Sequence, residues 1–188
     1  MKIVLASGSP RRTQILSLAH IEHIVIPSTC VELIDKGLKP IEVVESLSLQ
    51  KAKDVARNNK DAFVIGADTI VTINGKILGK PHSEEEAIEM LTTLSNTTHQ
   101  VVTGVTFIYN DIIKTIHEIT EVTFSKLSTE QIKTYINEEN VYDKAGAYAI
   151  QGTFCKYITK INGDYYNVMG LPIARVYKEI EGYKNEIQ

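Results

Sequence analysis

Apolar and polar positions along this chain switch between two periods, and the switches mark out its elements. Residues 2–6, Lys-Ile-Val-Leu-Ala, are a short apolar run suited to a buried strand. Ser9-Pro10 then opens a helix over residues 11–19, with Ser9 as N-cap and Pro10 at the first helical position, where its missing N–H costs nothing. A strand over residues 22–27 follows. From Pro40 to about residue 59, Val44, Leu47, Lys51 and Val55 share one stripe at helical spacing. Residues 62–67 form a continuous apolar strand that stops at Asp68. Residues 69–73 and 76–78 flank Asn74-Gly75, a pair that tolerates the positive φ of a type I′ turn, and so predict a hairpin. Ser83-x-x-Glu86 reads as a capping box for a helix to Leu94, and Ser128-x-x-Gln131 caps another to about Asn137. Residues 99–109 and 112–125 are long strands joined at Asn110-Asp111. Residues 148–150 and 154–161 read as extended, Asn162-Gly163 turns, and Leu171-Pro172 starts a last helix reaching about Ile180.

Early alternation of strands and helices, followed by hairpins, predicts an α/β fold with a mixed sheet. The 188 residues carry no low-complexity tract or repeat, so residues 1–188 are expected to form a single domain. No apolar run approaches the roughly 20 residues needed to span a bilayer, and no membrane partner is expected. Cys30 and Cys155 lie far apart and outside any Cys-x-x-Cys pair, which argues against a disulfide scaffold or cysteine zinc site and fits a reducing cytoplasm. The net charge of -3 gives no global attraction to nucleic acid, so a polyanion would need a local cluster of cations.

Four segments could supply chemistry. In Ala6-Ser7-Gly8-Ser9-Pro10-Arg11-Arg12, a helix N-terminus, two hydroxyls and two guanidinium groups offer donors to an anion; a merely well-capped junction with solvated arginines is the plainer reading. Asp68, in Gly66-Ala67-Asp68-Thr69, stands at an expected strand end, where α/β sheets collect ligands. A carboxylate there can hold a divalent ion, take a proton from water, or simply close a turn. Lys51 interrupts an apolar stripe and either snorkels outward or points into a cleft, where an anion would complete it, with Lys80 of Gly79-Lys80-Pro81 nearby. Finally, residues 143–152 surround Tyr148 and Gln151 with small residues; the Gln151 amide complements the imide edge of uracil or thymine, or else satisfies backbone in a tight crossing. The histidines carry no metal-site spacing, and Ser7 and Ser9 lack a nucleophile elbow.

Together these segments resemble the Maf family (septum formation inhibitor Maf), which are nucleoside triphosphate pyrophosphatases. The resemblance rests on Leu5 to Arg12, Gly66-Ala67-Asp68-Thr69-Ile70-Val71, Gly79-Lys80-Pro81, His99 to Val105, Lys144 to Gly152 and Asn167 to Pro172, in family order from residue 3 to about 180. It implies an elongated mixed sheet flanked by helices, similar to inosine triphosphatases, with a cleft between two lobes. It also implies Asp68 as general base, with the second half of the Ser-Pro-Arg-Arg block, Thr69 and Gln151 reading the base. Arg11 directly after Ser-Pro is similar to the branch acting on dTTP and UTP. Two departures stand out: Val31-Glu32 replaces the usual Asp-Glu, and Glu139-Asn140-Val141 replaces Gly-Glu-Pro.

The expected reaction is hydrolysis of dTTP or UTP to the monophosphate and pyrophosphate by water attack on the α-phosphorus. Ser7, Ser9, Arg11, Arg12, Lys51 and Lys80 are expected to clamp the substrate, and Glu32 and Asp68 to hold Mg²⁺ or Mn²⁺. No stable nucleic-acid complex is expected; a homodimer is a family-level expectation. The competing reading is a non-catalytic nucleotide-binding regulator of septum formation. Such a binder needs only cations, whereas Asp68 and Glu32 add the carboxylates of a catalyst.

Overall fold

The computed structural model describes residues 1–187. One seven-stranded mixed sheet organises it, in the order β2 (Ile24–Val25), β1 (Lys2–Leu5), β3 (Ala62–Ile73), β5 (Thr98–Tyr109), β6 (Ile112–Phe124) and β7 (Ile158–Asn162), with β4 (Lys76–Leu78) paired to the far end of β3. The β1 pairings with β2 and β3 are parallel; the others are antiparallel. Among the described residues six α-helices flank the sheet: α1 (Pro10–Leu18), α2 (Pro40–Ala56), α3 (Glu84–Leu94), α4 (Thr129–Glu138), α5 (Tyr165–Met169) and α6 (Ile173–Ile187). None of the described helices is long and apolar enough to cross a membrane.

β3 positions the site. Its first four residues pair with β1 as far as Ile65, and its last three pair with β4 from Val71 onward. Between them, residues 66–70 have β5 on one side and no strand on the other. The result is a notch in the sheet edge. Two apolar cores lie either side of it. One joins β1, the start of β3, α1 and α6 around Phe63, Phe107 and Leu171; the other joins the end of β3, α3, α4 and the 145–157 segment around Phe124, Tyr148 and Phe154. These are the two lobes, and the notch opens between them.

α2 lies directly on the sheet because two glycines allow it. A Cβ on Gly66 would come within 2.4 Å of the Ser48 carbonyl oxygen, and one on Gly104 within 2.4 Å of the Val44 carbonyl oxygen. With no sheet side chain at these two positions, the helix backbone comes close there, and the Lys51 stem need only cross a short gap to reach β3.

Several expectations need correcting. β3 does not stop at Asp68: it runs unbroken to Ile73, and Asp68 pairs in register with Gly104 in mid-strand. The polar Asp68-Thr69 pair interrupts the apolar run because it lines the notch, not because the strand ends. Residues 148–150 join no strand, and Gly152–Tyr157 is a 3₁₀ turn that buries Phe154; it begins at Gly152, whose φ of +80° suits a glycine. α5 is an additional helix, capped by Asp164, whose Oδ1 accepts from Tyr166 N–H and Asn167 N–H, and ended by Gly170 at φ +112°. Ser9 is the α1 N-cap by position but makes no capping bond with its hydroxyl. The Ser128–Gln131 capping box is complete, whereas Glu86 returns to His82 N–H instead of to Ser83. α2 ends at Ala56, β2 contracts to two residues, and α6 continues past Ile180 to Ile187.

His99 is 1 % exposed in the second core, with its Nε2 2.8 Å from the Tyr148 hydroxyl, and burial holds its pKa down at about 4 against an ordinary 6.5. Below pH 6.5 the unfolded chain therefore takes up a proton that the folded chain refuses. Stability conferred by this group falls as pH drops from 6.5 to 4, by up to about 3 kcal/mol, and does not fall further below that. Urea midpoints across this window should lose that component of slope in His99→Gln. Gly104→Ala should destabilise by about 2–3 kcal/mol through overpacking against α2. Gly182→Ala, where an added Cβ meets nothing within 4 Å on α6, should stabilise by about 0.5–1 kcal/mol.

Candidate functional site

A cleft of about 890 Å³ occupies the notch. All ten residues singled out from the sequence line it: Ser7, Ser9, Arg11, Arg12, Glu32, Lys51, Asp68, Thr69, Lys80 and Gln151. Because successive residues of a strand face opposite ways, Asp68 and Thr69 project on opposite sides of the sheet edge, and the cleft reaches around it to both.

On the α2 side, Lys51 Nζ lies 2.5 Å from Asp68 Oδ1 and 3.0 Å from Glu32 Oε1. The lysine therefore points into the cleft and does not snorkel. Its ammonium supplies the partner that a mostly buried carboxylate requires, both side chains being under one-fifth exposed. α2 also holds the loop that carries Glu32. Gln50 accepts from Leu33 N–H at 2.9 Å and donates to the Leu33 carbonyl at 2.7 Å, and Asp54 Oδ2 accepts from Ser28 Oγ and Thr29 N–H. Those bonds hold the Asp54 carboxyl below its ordinary pKa, the Ser28 hydroxyl contributing most.

On the other side, Arg12 is buried and its three nitrogens tie three segments together. Nε donates to the Gly170 carbonyl at 2.8 Å, Nη1 to Ser7 Oγ at 2.8 Å and Nη2 to Thr69 Oγ1 at 3.0 Å. Burial lowers the guanidinium's pKa, with the nearby Asp68 charge opposing it. Ser7 Oγ also accepts from Ser9 N–H at 3.3 Å. With both lone pairs engaged, the Ser7 hydroxyl faces the cleft as a donor, beside the N-terminus of α1.

Arg11 forks onto Asp143, Nη1 to Oδ2 at 2.9 Å and Nη2 to the carbonyl oxygen at 3.3 Å, while Lys144 Nζ takes Asp143 Oδ1 at 2.7 Å. Burial would raise the Asp143 carboxyl, but the hydrogen bonds and charges of Lys144 and Arg11 outweigh it and hold the pKa below the ordinary value. Lys80 is exposed at the mouth, and among the described residues neither its ammonium nor the Gln151 amide has a hydrogen-bond or ion-pair partner. Both are open to a ligand.

A model of the family described as Maf-like protein matches residues 2–183. The chain belongs to the Maf-like family. A dTTP/UTP pyrophosphatase of Bacillus cereus strain ATCC 14579 is 48% identical over 186 residues, which are 99% of this chain and 97% of that protein. Another of the same name, from Bacillus cereus strain G9842, is 49% identical with the same coverage. Among solved structures, a Staphylococcus aureus Ham1 protein aligns with a TM-score of 0.48 at 20% identity, over 66% of this chain and 72% of that one. A HAM1 protein from Coxiella burnetii aligns with a TM-score of 0.48 at 17% identity, over 68% and 74%.

In this Maf-like chain, several residues at the site escaped sequence reasoning. Asp143 and Lys144 open the small-residue segment 143–152, but nothing local announces that Asp143 meets Arg11 from 132 residues away. Thr103 stands behind Thr69, their hydroxyls 3.0 Å apart, and reads in sequence as an ordinary strand former. The departing segment 139–141 is a packed loop: Val141 is fully buried and its carbonyl accepts from Lys144 N–H, while Glu139 accepts from Thr153 Oγ1 at 2.9 Å.

Glu32 and Asp68 already converge on one cation, the Lys51 ammonium. Among the described residues no group of three or more His, Cys, Asp or Glu side chains could form a complete metal cage. Two carboxylates fit instead the habit of Mg²⁺, which takes one or two protein carboxylates and fills its remaining positions with water and substrate phosphate oxygens. Arg12→Lys should destabilise the protein by about 2–4 kcal/mol as read by urea unfolding, because an ammonium keeps the charge but cannot span Gly170, Ser7 and Thr69 together.

Proposed function

We propose that this chain hydrolyses dTTP and UTP to the nucleoside monophosphate and pyrophosphate, residues 1–188 acting as one catalytic unit. The observation that carries this reading is the Lys51–Asp68 pair: a mostly buried carboxylate, fixed by a cation, in a notch with the Ser7–Arg12 loop, Lys80 and Gln151 around it. The names of relatives about half identical over the full length support the same substrates. A carboxylate amid cations also favours a catalyst over a mere binder, which would gain nothing from Asp68.

The chemistry asks that water attack the α-phosphorus of a tetra-anion, that the bond from this phosphorus to the bridging oxygen break, and that pyrophosphate carry that oxygen away. Lys51 occupies Asp68 Oδ1 and leaves Oδ2 to orient the water and accept its proton. The Ser7 hydroxyl, the α1 N-terminus, Arg11 and Lys80 hold the phosphates and stabilise charge as it moves to the leaving group. Glu32 and Asp68 would hold a divalent cation, Mg²⁺ or Mn²⁺, whose chemistry is to neutralise phosphate charge. Thr69 and Gln151, across the sheet edge from Asp68, read the base. Free Cys30 and Cys155 support a reducing, cytoplasmic setting.

With dTTP and Mg²⁺, Asp68→Asn keeps the shape and removes the proton acceptor; pyrophosphate release should fall by about 10²–10⁴-fold. An unchanged rate would remove Asp68 from the assigned role. In a panel of nucleotides, the unmutated protein should release pyrophosphate, not orthophosphate, and should act on dTTP and UTP ahead of CTP and GTP.

A further inference from the structure

We propose that Thr103, which does not line the cleft, is a specificity-determining residue: it fixes the Thr69 hydroxyl as a hydrogen-bond acceptor and so favours pyrimidines with an N3–H over those without. The inference rests on the pyrimidine reading above and adds to it the device that sets the polarity.

A hydroxyl has one proton and two lone pairs. Thr103 is fully buried, and its Oγ1 lies 3.0 Å from the Asn167 carbonyl oxygen and 3.0 Å from Thr69 Oγ1. A carbonyl only accepts, so the single Thr103 proton goes to Asn167. The bond between the two threonines must then be donated by Thr69. The guanidinium of Arg12 only donates, and its Nη2 takes one Thr69 lone pair at 3.0 Å. Thr69 has spent its proton and keeps one lone pair, which can only accept from a ligand.

Both ends of this chain are pinned. α5, which carries the Asn167 carbonyl, is tied to the sheet by Asn167 Nδ2 donating to the Val101 carbonyl at 3.1 Å and to Thr120 Oγ1 at 2.9 Å. At the other end Arg12 is held by Gly170 and Ser7. Arg12 thus takes one lone pair from each hydroxyl: Ser7 keeps its proton to donate, as a phosphate oxygen requires, whereas Thr69, its proton given to Thr103, can only accept, as an imide N–H requires.

Gln151 cannot make this distinction unaided. No described residue fixes its amide, so a flip presents either O or NH₂ and suits uracil and cytosine alike. Discrimination needs a group whose polarity the protein sets. For an N3 without a proton, Thr69 must turn its own proton to the base, Thr103 must turn toward Thr69, and Asn167 loses a buried hydrogen bond. One such bond corresponds to roughly a three- to tenfold preference.

The test compares kcat/KM for UTP and CTP, with pyrophosphate as the product measured, in the unmutated protein, Thr103→Val and Thr103→Ser. Valine keeps the strand and the shape but removes the acceptor that holds the Thr69 proton. The UTP/CTP ratio should fall about three- to tenfold, with UTP turnover largely retained, and serine should restore it. Thr103→Ala carries the same expectation if the valine protein does not fold. A folded valine or alanine protein with an unchanged ratio, or with equal losses on both nucleotides, overturns the role of Thr103 while the pyrimidine reading stands. An unmutated protein that treats UTP and CTP alike overturns the inference together with pyrimidine selectivity. One that releases no pyrophosphate from UTP removes the parent reading itself.

Discussion

Everything at this site follows from five residues of β3, 66–70, that have a neighbouring strand on one side only. An open strand edge inside a sheet leaves backbone groups unpaired and invites a partner. Here β1 and β4 cover the two ends of the strand and stop short of its middle, and the cleft fills the gap. Because side chains alternate along a strand, a ligand reaching over that edge meets Asp68 on one face and Thr69 on the other. A substrate with a reactive, highly charged end and a neutral, hydrogen-bonding end is suited to such a division.

The two faces are held by different means. On the α2 face, glycines at 66 and 104 bring the helix backbone onto the sheet, and the helix then supplies Lys51 to Asp68 and the Gln50 and Asp54 contacts that hold the Glu32 loop. That face is ionic, and an ammonium between two carboxylates both neutralises and orients them. The opposite face works by donor and acceptor counts. There the buried Arg12 bonds Ser7, Thr69 and Gly170 at once, joining the first loop, the central strand and the cap of α5. Such an arrangement is costly to disturb, since each buried group left unpaired loses its full desolvation. The Arg11–Asp143–Lys144 cluster adds a bond between a helix of the first lobe and a segment of the second.

Much of this was legible in the sequence, for reasons visible in individual residues. Lys51 stood out because a charge interrupted an apolar stripe, and the alternatives were few: outward or into a cleft. The β3–β4 hairpin was legible because Asn74-Gly75 adopts positive φ at both positions, +50° and +77°. The α4 cap was legible because Ser128 and Gln131 bond each other's backbone reciprocally. Asp68 is conspicuous in the sequence but its mid-strand position is not, because a polar pair after an apolar run looks the same whether a strand ends or borders a cleft. Short elements closed by tertiary contacts were the least legible. The 3₁₀ turn at 152–157 is set by burying Phe154, and α5 is too short to carry a periodic signal. The Arg11–Asp143 and Thr69–Thr103 pairs depend on which distant segments the fold brings together, and single-sequence patterns do not encode that.

The central claim is that water attacks the α-phosphorus, and isotope placement tests it most directly. Turnover of dTTP in ¹⁸O-labelled water, with the products separated and weighed by mass spectrometry, reports which phosphorus received the new oxygen. The account predicts one labelled oxygen in dTMP and none in pyrophosphate. Label in the pyrophosphate with an unlabelled dTMP would mean attack on the β-phosphorus and would contradict it.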